Sequence, residues 1–276
     1  MAPGSLAGAL AYINWTVLLA LTLGSFGVVI LGRLSTDATR GYLLFTGVSS
    51  MAIGLLALLA DLALPPPEGL AIANTPAFDQ LRRALLAAYL LLGSGYVVAL
   101  ARGRRAPSLA AAALLGGVAA ALTAAYGWGG SLAGAIPLAI QLLVLAAATG
   151  GALAAMILGH WYLVTPRLSE RPLVLTARLL TGVIAVQLVL FAAWTATGSG
   201  AAGRPFGALL GSFALFVWLR LLVGLLFPLV ISWMALRTAS TRSMESATGL
   251  LYIDMAAIAS GTIVAAGLYF GAGLLV

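Results

Sequence analysis

Apolar residues run along this chain in long unbroken stretches, separated by short clusters rich in Arg, Pro, Gly and Ser. The stretches lie near residues 8–32, 41–64, 83–101, 107–126, 133–160, 173–197, 206–235 and 247–275. Each holds about 19–30 residues, against the ~20 that a helix needs to cross ~30 Å of hydrocarbon. The period-two alternation of a transmembrane β-barrel is missing. The pattern therefore predicts an all-α, polytopic integral membrane protein with eight transmembrane helices in one membrane domain over residues 1–276. The first stretch, from Ala7 to Leu31, has no basic region ahead of it and is long enough to span, so it reads as a membrane helix rather than a cleaved signal peptide.

Composition sharpens this. Of 276 residues, 62% are hydrophobic and 8% charged, where a soluble domain carries about a quarter charged residues. A net charge of +7 would suggest nucleic acid in a soluble protein. In this setting it points to basic loops facing anionic lipid, with the bilayer as partner and no nucleic acid. All fourteen basic residues are Arg. With no Lys, Schiff-base chemistry is excluded. With no Cys, disulfides, thiolate-ligated iron–sulfur clusters and covalently attached haem c are excluded.

Arginine placement sets the expected topology. Arg33, Arg40, Arg102, Arg104, Arg105, Arg167, Arg171, Arg178, Arg237 and Arg242 fall at one set of loops. Only Arg82, Arg83 and Arg204 fall at the other, which includes the long loop 65–82 with Glu68 and Asp79. The positive-inside rule then places both termini on the periplasmic side of a bacterial inner membrane.

The two halves, 1–130 and 131–276, echo one another. "GRLSTDATRGYLLFTGV" follows the first span and "PRLSERPLVLTARLLTGV" the fifth, while "LLLGSG" in the third span pairs with "ALLGSF" in the seventh. A duplication would be a parallel 4+4 repeat of four-helix bundles; chance similarity in a Leu/Ala/Gly-rich chain gives the same echoes.

Ionisable groups inside spans are costly and point to function by default. Arg220 lies near the middle of span seven and must face protein, a polar cavity or a partner subunit. Asp254 lies about two turns into span eight by helical rise. The two read either as a buried ion pair that fixes helix packing or as parts of a polar ligand's site. Asp61, just before Pro65-Pro66-Pro67, reads as a helix-end residue at the interface. In span five, Gly151, Ala155 and Gly159 form a ridge of small residues for close helix contact. The only histidine, His160, follows directly, with Tyr162 and Arg167 beyond it and Pro166 expected to end the helix. His160 and Tyr162 suit a quinone headgroup, since both can bond its carbonyls and exchange protons. His160 also suits one axial position of haem b and would be the metal ligand in that case. Without either ligand the cluster is an aromatic belt at the membrane surface.

Absences narrow the field. A di-haem cytochrome b needs four histidines, and Asp-rich Mg²⁺ motifs need clustered Asp, of which Asp37, Asp61, Asp79 and Asp254 are the whole supply. P-loop, Rossmann and zinc-protease motifs are missing. A self-contained enzyme is not expected.

The segments "LGHWYLVTPRL" and "SATGLLYIDMA" resemble parts of bacterial polytopic membrane proteins. The eight spans in two four-helix halves resemble the membrane-anchor subunits of polysulfide- and DMSO-reductase complexes. That resemblance implies a subunit that binds menaquinol without haem and passes electrons to an iron–sulfur partner. It also implies a quinone site framed by polar residues of the first bundle, for which this chain offers Asn14 and Asp61. The sequence reading is thus a membrane subunit of a respiratory or photosynthetic electron-transfer complex. Its ligand is a quinone (menaquinone or ubiquinone) or a single haem b, with His160, Tyr162, Arg167, Arg220 and Asp254 as candidate site residues. Alternatives are a small-solute transporter with Arg220 and Asp254 in its pathway, or a structural subunit without a ligand.

Overall fold

The computed structural model describes residues 3–73, 75–165 and 167–276, with side chains from Gly8 onward. It is all-helical, and eight of its helices are long and apolar enough to cross a membrane. The chain is a multi-pass membrane protein.

Spans one to six are α1 (Pro3–Ser35), α2 (Arg40–Leu62), α3 (Ala77–Ala101), α4 (Pro107–Gly129), α5 (Leu132–Val164) and α6 (Arg171–Thr197). A short turn, α7 (Gly207–Leu210), precedes span seven. Span seven itself is α8 (Ala214–Leu221) and α9 (Phe227–Ser240), joined by a π-helical turn at Leu222–Leu226. Span eight is α10 (Met244–Ala272). Helix ends follow local chemistry. Ser131 caps α5 by accepting from the Gly134 amide, and Pro107 and Pro172 open α4 and α6, where a missing N–H costs nothing. Pro166 lies outside the described residues.

Two expected boundaries move. Span three starts six residues early, at Ala77, which draws Arg82 out of the expected loop and sets both Arg82 and Arg83 inside the helix. Span seven starts late: Gly211 and Ser212 break the chain before Ala214. The segment "ALLGSF" therefore sits at a helix junction, whereas "LLLGSG" is mid-helix, so the second echo between the halves has no structural counterpart.

Each half closes into a bundle: α1–α4 form the first, and α5, α6, α8–α9 and α10 the second. The seam is α1 against α5, with α4 leaning on α5 and α10 leaning on α1. Lipid offers no hydrophobic drive for helix association, so close packing of small residues must supply it. At the seam, a Cβ on Gly24 would lie 2.9 Å from the Cα of Gly150. The ridge of small residues on α5 is buried, and Gly159 meets Thr248 of α10. Hydroxyls in the spans bond back one turn, as Thr16 does to Tyr12 and Thr195 to Phe191.

Because successive spans alternate in direction, the ten loop arginines gather at one end, the Arg-rich face. At the other end, the N-terminal face, the 63–73 segment lies over the helix ends. There Ala71 donates to the Phe270 carbonyl (3.2 Å) and Ala73 to that of Trp128 (2.9 Å).

Candidate functional site

The buried stripe of α2 runs Leu43, Gly47, Ser50, Gly54, Ala57, Asp61, and that of α3 runs Arg82, Leu86, Tyr89, Gly93, Tyr96, Leu100. Both step by three and four residues, the spacing of one helix face. Asp61 ends the first stripe and Arg82 begins the second, so the fold of the α2–α3 pair carries them to the same place.

They meet completely buried. Arg82 donates from Nε to Asp61 Oδ2 (2.6 Å), from Nη2 to Asp61 Oδ1 (3.1 Å) and from Nη1 to Asp79 Oδ1 (2.8 Å). Arg83 Nε adds a bond to Asp61 Oδ1 (3.1 Å). Two carboxylates thus neutralise two guanidinium groups. The side chains of Asp61 and Arg82 are 0% and 1% exposed, and only good geometry with every partner in place offsets such desolvation. Trp128 of α4 and Trp15 of α1 flank the guanidinium, their ring centres 4.9 and 5.8 Å from Cζ. Tyr12 meets Trp128 edge-on at 5.2 Å and donates its hydroxyl to the Pro65 carbonyl (2.9 Å).

This cluster opens into a pocket of about 260 Å³ on the N-terminal face, bordered by Tyr12, Pro65, Pro67, Asp79, Arg82 and Trp128. Arg82, which borders the pocket, uses three of its five N–H donors within the protein. The site thus has donors to spare, a half-exposed carboxylate at its mouth and aromatic walls.

This overturns the interfacial reading of Asp61: the longer α3 and the folded-down loop bury it. The signal was in the sequence. Thr75-Pro76, with Asp79 just beyond, marks a helix start ahead of Arg82, since Pro and an acid favour the first turn. Asn14, the other residue implied for the first bundle, is exposed and does not join the cluster.

The five residues singled out from sequence are scattered. His160 is exposed on α5, while Tyr162, two residues on and facing the opposite way, is buried and donates to the Ser169 carbonyl. Arg167 is exposed in the loop beyond. The structure does not bring these three together. Arg220 is buried and donates to Gln187 Oε1 (2.8 Å) and to the Gly224 carbonyl (3.1 Å) in the π-helical turn. Gln187 in turn donates to the Val144 carbonyl of α5 (2.8 Å). Asp254 is fully buried, and neither oxygen has a partner. Arg220 and Asp254 form no ion pair, because Gly261, seven residues further along α10, is the residue beside Arg220.

No protein-family model matches the chain, and no curated protein or solved structure is significantly similar to it.

Proposed function

We propose that this chain is the quinone-binding membrane subunit of a respiratory or photosynthetic electron-transfer complex, with the ligand's headgroup in the pocket over Arg82. The observation that carries this reading is the pocket's donor set: spare N–H groups on Arg82, the carboxylate of Asp79 and the rings of Tyr12 and Trp128 around one space. A quinone needs hydrogen-bond donors at its carbonyls, a flat apolar wall and a group that takes up or gives a proton. A bound quinone supplies two-electron, two-proton redox chemistry to the complex. Arg82, held by Asp61, orients the headgroup, Trp128 excludes water from one side, and Asp79 exchanges protons with the aqueous face.

Quinone is favoured over haem b. The one histidine that would ligate haem iron is on the bundle surface, away from the pocket over Arg82. The arginine asymmetry supports a bacterial inner membrane with both termini periplasmic, which puts the pocket on the periplasmic side. With short loops between the described spans, electrons from the ligand pass to a partner subunit.

The test is extraction of the purified protein's lipids for quinone, followed by titration with a fluorescent hydroxyquinoline quinol analogue. Co-purified quinone is expected, with analogue binding weakened by Trp128→Leu. Absence of both quinone and analogue binding would overturn the proposal. Small-solute transport is the second reading, and the uncompensated Arg220 and Asp254 favour it; solute-independent behaviour in proteoliposome flux assays counts against it.

A further inference from the structure

Asp254 stands apart from the pocket over Arg82. Its surroundings follow from helix register. Gly261 touches Gly224, so Asp254, two turns nearer the α9–α10 hairpin tip, is level with Ile231 and Ser232 of α9. Thr149 bonds Thr262 (2.7 Å) and Gly159 meets Thr248, which sets Asp254 level with Ala154 and Ala155 of α5. All of these neighbours are uncharged.

Other titratable groups on the packed elements are remote or engaged. On α5 they are His160, exposed, and Tyr162, bonded to Ser169. Tyr42 of α2 reaches the Ala154 carbonyl (3.1 Å). On α9 there is Arg237 and on α10 there are Glu245 and Tyr252, all exposed, with Tyr269 about four turns away; on α1, Tyr12 lies toward the N-terminal face and Arg33, about a turn nearer the Arg-rich face by register, lies beside Tyr96 of α3. Arg220 is displaced along the bundle axis by roughly 10 Å from helical rise.

A buried carboxyl needs a counter-ion, hydrogen-bond donors or a neutralising ligand. The first two are lacking, and the smallest ligand that serves is a proton. The shorter way to an aqueous face is on one side. Toward the Arg-rich face, Thr248 is buried about two turns away, and beyond it lies a polar pocket of about 530 Å³ bordered by Tyr162, Arg242, Ser243, Glu245 and Ser246. Toward the N-terminal face, the backbones of Gly224 and Gly261 are in contact and the Arg220 guanidinium stands beside them. A fixed positive charge in a constriction excludes protons.

We infer that Asp254 is a proton-binding site in the second bundle, loaded from the Arg-rich face and shut off from the other face by Arg220. A proton passes from water in the pocket to the Asp254 carboxylate oxygen and leaves by the same path, and no electron moves. This does not depend on the quinone reading.

Infrared spectroscopy of the full chain in lipid nanodiscs tests it. The wild type should show the carbonyl stretch of an un-ionised carboxylic acid, which shifts in D₂O and is lost in Asp254→Asn. Should Asp254→Asn fail to fold, Asp254→Glu keeps the acid and moves the band, which makes the assignment equally. Ser246→Trp, at the pocket mouth, should slow the D₂O shift severalfold. A missing band would mean that the carboxyl is charged, and a band indifferent to D₂O would mean a sealed acid. Either result, or exchange unaffected by Ser246→Trp, overturns the inference.

Discussion

In the first bundle the buried guanidinium of Arg82 meets two carboxylates and two indole rings; in the second, that of Arg220 meets an amide oxygen and a peptide carbonyl. The positions correspond. Each arginine lies near the start of the third span of its half, and each donates to the second span, at Asp61 or Gln187. Each is flanked by the fourth span, through Trp128 or Gly261. What differs is charge and room. The first arrangement is neutral and opens into a pocket, which suits a polar ligand. The second keeps its positive charge and is closed by backbone contact, which suits a barrier. One scaffold position thus gives an open neutral cluster or a closed charged one according to the residue opposite the arginine and the size of its neighbour.

Removing the acid from the first centre should have the largest effect. Asp61→Ala leaves Arg82 with Asp79 alone, and breaking a buried pair by deleting one partner costs about 3–5 kcal/mol. Denaturation in nanodiscs checks this, and a loss below ~1 kcal/mol would show that the pair is not what holds α2 to α3. Joint replacement, Asp61→Leu with Arg82→Met, should restore most of the stability, since apolar residues often substitute for a buried pair without loss, while analogue binding stays absent.

In the second centre, Gln187→Leu removes the one side-chain acceptor of Arg220 among the described residues. A hydrogen bond to a charged group contributes ~1.5–3 kcal/mol, so the loss should fall in that range. Gln187→Glu imports the charge balance of the first bundle and should match or exceed wild-type stability. Destabilisation by Gln187→Glu would break the correspondence between the two centres.

The glycines of the fourth spans give the next contrast. A Cβ on Gly261 would lie 2.6 Å from Gly224 Cα and 2.8 Å from Arg220 Nη1, whereas one on Gly116 of α4 would lie 3.6 Å from Tyr89 Cα. Overpacking costs ~1–3 kcal/mol, so Gly261→Ala should destabilise to that extent while Gly116→Ala is tolerated. Equal costs would mean that the second bundle is not the tighter one.

Much of this architecture was legible in the sequence. Long apolar runs and arginine loops gave eight spans and their alternation, because the bilayer imposes length and leaves no alternative for the backbone. The site was less legible. The buried stripe of α2 ends at Asp61, but a carboxylate beside three prolines resembles any helix end until its partner is known. That partner was hidden by starting span three at residue 83, one position past Arg82. His160 drew notice as the only histidine, yet composition does not say which way a side chain faces; its neighbours Gly159 and Tyr162 turn inward and leave it outward. Nor could spacing alone show that Gly261, rather than Asp254, stands beside Arg220, since that depends on the register of the α9–α10 hairpin.

The smallest effect on stability is expected at the mouth of the first centre. Asp79 is 38% exposed and accepts one bond from Arg82 Nη1, three residues on along the same helix. A solvated pair of this kind contributes ~0.2–1 kcal/mol, and in Asp79→Asn the amide oxygen of the new side chain can still accept that bond. Stability should hardly change. The cluster, however, would gain a net positive charge and lose the carboxylate to which the quinone proposal assigns proton exchange. Quinol-analogue affinity should therefore be nearly kept while quinol turnover by the assembled complex falls, a drop in kcat without a matching rise in KM. An unchanged kcat would reduce Asp79 to an acid in the first turn of α3, where it favours the helix N-terminus and nothing more. A rise in KM at constant kcat would instead make it a binding contact, and the proton would have to leave the pocket by another group.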